Sequence, residues 1–272
     1  VDRASLIEQI RKKNTYLCVG LDPDPAKIPP HLLKYDNPVL AFNREIIEAT
    51  SDICVAYKPN VAFFEALGPE GMKILDQTRA LIPAECLTIA DAKRGDIGNT
   101  ATMYAKAFLE AMQFDAITVA PYMGRDSVEP FLIQGKWAVV LGLTSNAGSK
   151  DFQRQDSDGI PLFERVMRTV MQWGNTGNLM FVVGATNEDD FAHIRSFCPD
   201  HFFLVPGVGA QGGDLAKLSA HGLNKDCGLL VNSTRGIIYA SGGKDFAEKA
   251  REEALALNEE IAALLKKYCI NF

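Results

Sequence analysis

The chain has 272 residues, with 28 Lys and Arg against 34 Asp and Glu, a formal net charge of −6. Hydrophobic residues at 47% and charged residues at 23% are the proportions of a folded globular chain and exclude disorder. The acidic balance argues against a nucleic-acid-binding surface while leaving room for a local basic pocket for one phosphate. No apolar run approaches the roughly 18 residues of a membrane span, and Val1-Asp2-Arg3-Ala4-Ser5-Leu6 leads into no apolar signal-peptide core. The expectation is a cytoplasmic chain.

In chain order, residues Ala4 to Lys13 read as a helix leading into the first of eight short apolar runs. These runs are Tyr16 to Leu21, Ile53 to Tyr57, Leu87 to Ala90, Ala116 to Ala120, Ala138 to Leu143, Leu179 to Val183, Phe202 to Val205 and Gly228 to Val231. Several are continuous rather than alternating, the pattern of parallel strands covered on both faces. Amphipathic segments lie between them, including Leu40 to Ala49, Met72 to Leu81 and Ala101 to Met112. Ser145 to Gly159 is the longest loop candidate, either a lid over a site or a tolerated insertion. Asp245 to Lys267 reads as a long final helix.

Strand and helix alternating eight times predict a (β/α)8 TIM barrel, with residues 1–272 as a single domain. A doubly wound sheet is the rival, but no G-x-G-x-x-G follows the first strand. Six cysteines are scattered without a C-x-x-C pair, and Cys18, Cys54 and Cys86 fall in apolar runs as reduced core thiols. None of His31, His193, His201 and His221 ends a predicted strand, which argues against a histidine-based metal site.

Ionisable residues stand where the strands should end. Asp22 closes the first, Lys58 the second, and Asp91 and Lys93 the third, within Asp91-Ala92-Lys93-Arg94-Gly95-Asp96. Charge appended to buried strands is costly unless paired, and catalytic groups of barrels gather at the C-terminal strand ends. Asp91 and Lys93 are two apart and on an extended chain point to the same side, with Lys58 in reach from the next strand. The result is an alternating acid–base array in which carboxylates hold each ammonium charged. Each member also has a plainer role open to it. Asp96 could cap a helix beginning near Gly98, Lys58 before Pro59 could face solvent, and Asp22 in Asp22-Pro23-Asp24-Pro25 could shape a turn.

After the seventh strand comes Pro206-Gly207-Val208-Gly209-Ala210-Gln211-Gly212-Gly213, and after the eighth Asn232-Ser233-Thr234-Arg235-Gly236. Barrels bind phosphate between these two loops, where glycines let backbone N–H groups approach an anion and an arginine adds a forked cation.

With these motifs the chain resembles the orotidine 5′-phosphate decarboxylase family along essentially its whole length. Asp91-x-Lys93-x-x-Asp96 is the most specific element, and the Gly207–Gly213 loop the next. Lys58-Pro59-Asn60-Val61-Ala62-Phe63-Phe64-Glu65 and Leu143-Thr144-Ser145-Asn146 resemble the branch of many bacteria and mycobacteria, while Ala120-Pro121-Tyr122 departs from the His-containing segment of other branches. The resemblance implies decarboxylation of orotidine 5′-monophosphate to UMP with no metal or organic cofactor. It implies that Lys93 protonates C6, that Asp91 lies beside the substrate carboxylate, and that Lys58 links Asp91 to the ribose. Asp22 would bind a ribose hydroxyl, Ser145 the pyrimidine, and Gln211, Gly212 and Arg235 the phosphate. It also implies a homodimer in which Asp96 crosses into the partner's site, with Thr100 near the ribose. Related barrels that act on sugar phosphates share the D-x-K-x-x-D signature but use Mg²⁺, with an acidic residue where this chain has Lys58. A Schiff-base aldolase needs a neutral lysine, which flanking carboxylates disfavour; a nucleotide sensor needs no such array.

Overall fold

The computed structural model describes residues 1–184, 188–207 and 214–268. Eight strands, β1 (Leu17–Leu21), β2 (Ala56–Pro59), β3 (Leu87–Arg94), β4 (Ala116–Val119), β5 (Trp137–Leu143), β6 (Leu179–Val183), β7 (Phe202–Pro206) and β8 (Leu229–Ser233), close into a barrel. Every pairing around the ring is parallel, and β1 closes it by lying between β2 and β8. Closure rules out the doubly wound sheet and leaves no barrel edge unpaired. The strands are β-branched and aliphatic because both faces are covered: β1, β2, β4, β6 and β8 are buried at every position.

Helices cover the outside. Arg3–Lys13, Pro38–Thr50, Gly68–Leu81 and Phe246–Tyr268 fall where the amphipathic pattern puts them. Pro38–Thr50 shows the logic: Asn37 caps it through Leu40 N–H (3.0 Å), Pro38 opens its first turn, and Val39, Phe42, Ile46 and Ile47 form the buried stripe. Against that stripe, Phe42 stacks on Phe246 of the last helix at 5.2 Å. No described helix is long and apolar enough to cross a membrane. Cys18, Cys54, Cys86, Cys198 and Cys227 are buried and form no disulfide with one another; Cys269 lies outside the described residues.

The differences from the sequence reading are local. β2 starts at Ala56, so Ile53 and Cys54 are buried in the turn after Pro38–Thr50 rather than in a strand; an apolar run reports burial, not extended backbone. β3 extends to Arg94, which places Asp91 and Lys93 inside the strand instead of beyond it. The Ala101–Met112 segment is an α-helix over Gly98–Ala105 that widens into a π-helical turn over Lys106–Ala111. Ser145 to Gly159 is not featureless. It holds a helical turn, Ser149–Phe152, and the first arm of a small hairpin, and Gln153 folds back to accept from Thr144 N–H (2.7 Å) and donate to its hydroxyl (2.8 Å).

Candidate active site

The ends of β1, β2 and β3 are tied together by Asn60. Its N–H donates to Leu21 O (3.0 Å), its side-chain amide donates to Asp22 Oδ2 (3.3 Å), and its backbone bridges to Asp91. β1 and β2 run in a register that pairs Gly20 with Lys58. Gly20 is required there: a Cβ at that position would lie 1.9 Å from Thr234 Oγ1. Tyr239 fixes the following loop, its hydroxyl donating to Asp22 O (2.7 Å) and accepting from Asp24 N–H (2.7 Å).

On this frame Lys58 donates to Asp91 Oδ2 at 2.7 Å, and Lys93 donates to Asp91 Oδ1 at 2.5 Å. The Lys58 and Asp91 side chains are only 5% and 10% exposed, so the solvent-facing reading of Lys58 is wrong. Burial pushes the Asp91 carboxyl up, but attraction to Lys58 and Lys93 outweighs it and holds the group at about 2. Burial likewise pulls Lys58 down, yet Asp91 and Asp22 together keep its ammonium above the ordinary lysine value. Asp22 goes the other way. Burial raises it by more than Lys58 and the Asn60 amide lower it, and its Oδ1 is buried with no hydrogen-bond partner.

The same-side geometry expected for Asp91 and Lys93 is not what brings them together. Ala90 pairs with Ile117 and Arg94 with Val119, so three residues of β3 stand against Thr118 alone, a bulge that breaks the strand alternation. Lys93 has a left-handed φ of +46°, and the long lysine side chain closes the distance. Just beyond, the Arg94 guanidinium pairs with Glu65 and lies over the rings of Tyr104 and Phe108 at 5.3 and 5.4 Å.

Asp22, Lys58, Asn60, Asp91, Pro206, Gly207, Asn232, Ser233, Thr234 and Arg235 line a cleft of about 190 Å³. The acid–base array and the predicted phosphate arginine therefore share one cavity. Lys93 is 53% exposed and, like Ser145, is not among the lining residues; it is linked to the cleft through Asp91. Gln211 and Gly212 lie outside the described residues. Asp96 and Thr100 do not line the cleft. Asp96 does not cap the next helix either; Ile97 occupies the cap position, and Asp96 Oδ1 accepts only the adjacent Ile97 N–H at 2.8 Å. The turn role open to Asp22 belongs to Asp24, which accepts from Ala26 N–H at 3.0 Å. Ser145 is half-buried against Gly184, where a Cβ would come within 2.6 Å of its backbone nitrogen.

Sequence reasoning gave no role to Asn60, Thr118, Asn232 or Tyr239. A threonine inside the apolar run Ala116-Ile117-Thr118-Val119 was a usable signal, because a buried hydroxyl needs a partner. Asn60 and Asn232 sat in motifs whose charged members drew the attention.

Barrel closure and a linked carboxylate–ammonium array at the C-terminal strand ends define the class: a (β/α)8 barrel whose cleft carries paired charges on one side and an arginine on the other. The chain belongs to the orotidine 5′-phosphate decarboxylase / HUMPS family, which it matches over residues 15–250. It is 56% identical over 264 residues to the orotidine 5′-phosphate decarboxylase of Flavobacterium johnsoniae, covering 96% of this chain and 97% of that one. The enzyme of the same name from Parabacteroides distasonis is 53% identical over 270 residues, covering 97% and 96%. Among solved structures, Leishmania donovani OMP decarboxylase superposes with a TM-score of 0.83 at 35% identity, over 97% of this chain and 99% of that chain.

Proposed function

We propose that this chain acts as a one-barrel cytoplasmic enzyme that converts orotidine 5′-monophosphate to UMP and carbon dioxide without a metal, Lys93 supplying the proton. The observation that carries the reading is the unbroken Lys58–Asp91–Lys93 chain of 2.7 and 2.5 Å contacts on the cleft that Arg235 also lines. In the reaction the bond from C6 to the carboxylate breaks, carbon dioxide departs, and the electron pair stays on C6. The Lys93 ammonium delivers a proton to that pair. A cation already held in place stabilises developing charge without reorganising, which is the largest kind of catalytic contribution. Asp91, ionised throughout the neutral range, lies beside the leaving carboxylate.

Lys58 links Asp91 to the ribose, and Asp22, with its unpartnered buried oxygen, takes a ribose hydroxyl. Ser145 addresses the pyrimidine, and Arg235 with Gln211 and Gly212 holds the phosphate. Phosphate contacts remote from C6 supply binding energy that offsets desolvation of the reacting end. Lys58 also argues against the Mg²⁺-dependent sugar-phosphate chemistry, because its ammonium on Asp91 would repel a divalent cation. The chain works as a homodimer in which Asp96 and Thr100 reach the partner's cleft.

An ultraviolet assay with orotidine 5′-monophosphate, run with and without EDTA, tests the reading. Turnover insensitive to chelator is expected; loss with EDTA returns the chain to the metal-dependent branch. Mixing inactive Asp96→Ala and Lys93→Ala dimers should restore part of the activity, and no recovery after demonstrated subunit exchange would place each site within one chain.

A further inference from the structure

β3 and β4 lose register at one place only, between the Ala90–Ile117 and Arg94–Val119 pairs, and Asp91 and Lys93 both stand in the gap. Five described non-glycine residues have a left-handed φ: Asn14, Lys93, Gln113, Asp158 and Cys227. Of these only Lys93 belongs to a strand; the others end a helix or form a turn. An L-residue does not rest there unless its surroundings hold it, because its Cβ crowds the carbonyl. Inside the bulge the ladder partner of the Lys93 N–H is lost, so its hydrogen bond must be found elsewhere.

Thr118 supplies it. The Lys93 N–H donates to Thr118 Oγ1 at 2.8 Å, and the same hydroxyl donates to Asp91 Oδ1 at 3.1 Å. Thr118 is fully buried on β4, so its hydroxyl is tied to these two partners rather than to bulk water. The direction of both bonds is forced. An N–H can only donate and an ionised carboxylate can only accept, so the single hydroxyl proton points at Asp91. Asp91 Oδ1 thereby receives two donors, Lys93 Nζ at 2.5 Å and Thr118 Oγ1, while Oδ2 receives Lys58. One hydroxyl fixes the backbone of the lysine and the carboxylate that aims its ammonium.

We infer that Thr118 is the positioning residue of this site. It touches no substrate; its hydroxyl holds the β3 bulge so that the Lys93 ammonium and the Asp91 carboxylate keep the relative geometry that proton delivery to C6 demands. The inference rests on the proposed role of Lys93. Positional errors at a reacting centre act on rate far more than on binding: misplacement by about 1 Å costs about a hundredfold.

The test compares Thr118→Val, which keeps shape and removes the hydroxyl, with Thr118→Ser, which keeps the hydroxyl. Thr118→Val should lower kcat about 10- to 100-fold, with KM and the dissociation constant of UMP changed by less than about threefold. Thr118→Ser should recover kcat to within about threefold of the parent. Equal kcat in the parent and Thr118→Val overturns the inference, as does an equal loss in Thr118→Val and Thr118→Ser. A rise in KM matching the fall in kcat/KM, with kcat unchanged, also overturns it by assigning the hydroxyl to binding. Should Thr118→Val fail to give the thermal unfolding transition of the parent, Thr118→Ala is read against Thr118→Ser by the same criteria. Lys93→Ala in the same series separates the two ideas. If it turns over normally, the role of Lys93 fails; if it is inactive while Thr118→Val turns over like the parent, only the role of Thr118 fails.

Discussion

The two sides of the barrel mouth are built on opposite electrostatic plans. At the ends of β1 to β3, the charges are engaged inside the chain: Lys58, Lys93 and Thr118 on Asp91, and Asn60 on one oxygen of Asp22. At the ends of β7 and β8, Arg235 is exposed at the start of a four-residue helix beside Gly207 and Thr234. One side is assembled before any ligand arrives, and the other presents a cation to solvent. The contrast matches what the proposed function asks of each side. Stabilising a charge that exists only for an instant requires groups that need not move. Capturing a permanent dianion profits from an accessible cation.

That difference can be broken from either side. The largest effect is expected from Lys93→Ala, which should cut kcat by about 10⁴-fold or more while the thermal midpoint stays within a few degrees of the parent. Near-normal turnover in a steady-state assay would remove Lys93 from the chemistry. Arg235→Ala should do the reverse, weakening UMP binding about 100-fold by isothermal titration and acting on kcat/KM more than on kcat. Its residual affinity should also depend less on salt than the parent's, since an exposed cation is screened. Unchanged binding would move the phosphate away from β8.

The smallest effect concerns stability and pH. Asp91 is held at about 2 against an ordinary 3.8. Its depressed value means that it stabilises the fold by about 2 kcal/mol above the ordinary value, and that this is lost as pH falls through about 2. Asp22 is raised, so its charged form opposes folding at neutral pH and the penalty disappears as acid protonates it. Asp22→Asn should accordingly raise the thermal midpoint of the unliganded protein by a degree or two at pH 7 while weakening substrate binding. The gain should shrink toward pH 4. A lower midpoint at pH 7 would show that Asp22 is instead a stabilising charge.

Much of the architecture was legible in the chain. Continuous apolar runs mark strands buried on both faces, and eight of them alternating with amphipathic segments leave few alternatives to a barrel. The charged residues at their ends were legible for a similar reason: Lys58 and Asp91 follow runs that must be buried, so each needed a partner. What failed was local. Ile53 and Cys54 looked like strand because burial and extended backbone leave the same apolar trace. Asp91 and Lys93 read as pointing to the same side by strand alternation, which does not hold through a bulge that neither residue announces.

The sequence by itself determined the order of the eight barrel strands, the burial of their faces and the charged groups at their ends, because periodicity and charge are properties of the chain. Only the tertiary structure decided that Thr118 stands opposite the bulge, that Asn60 joins three strand ends, and that Asp22 keeps an unpartnered oxygen. Those facts depend on strand register and side-chain reach between residues 25 to 38 positions apart. Such geometry exists only once the ring has closed.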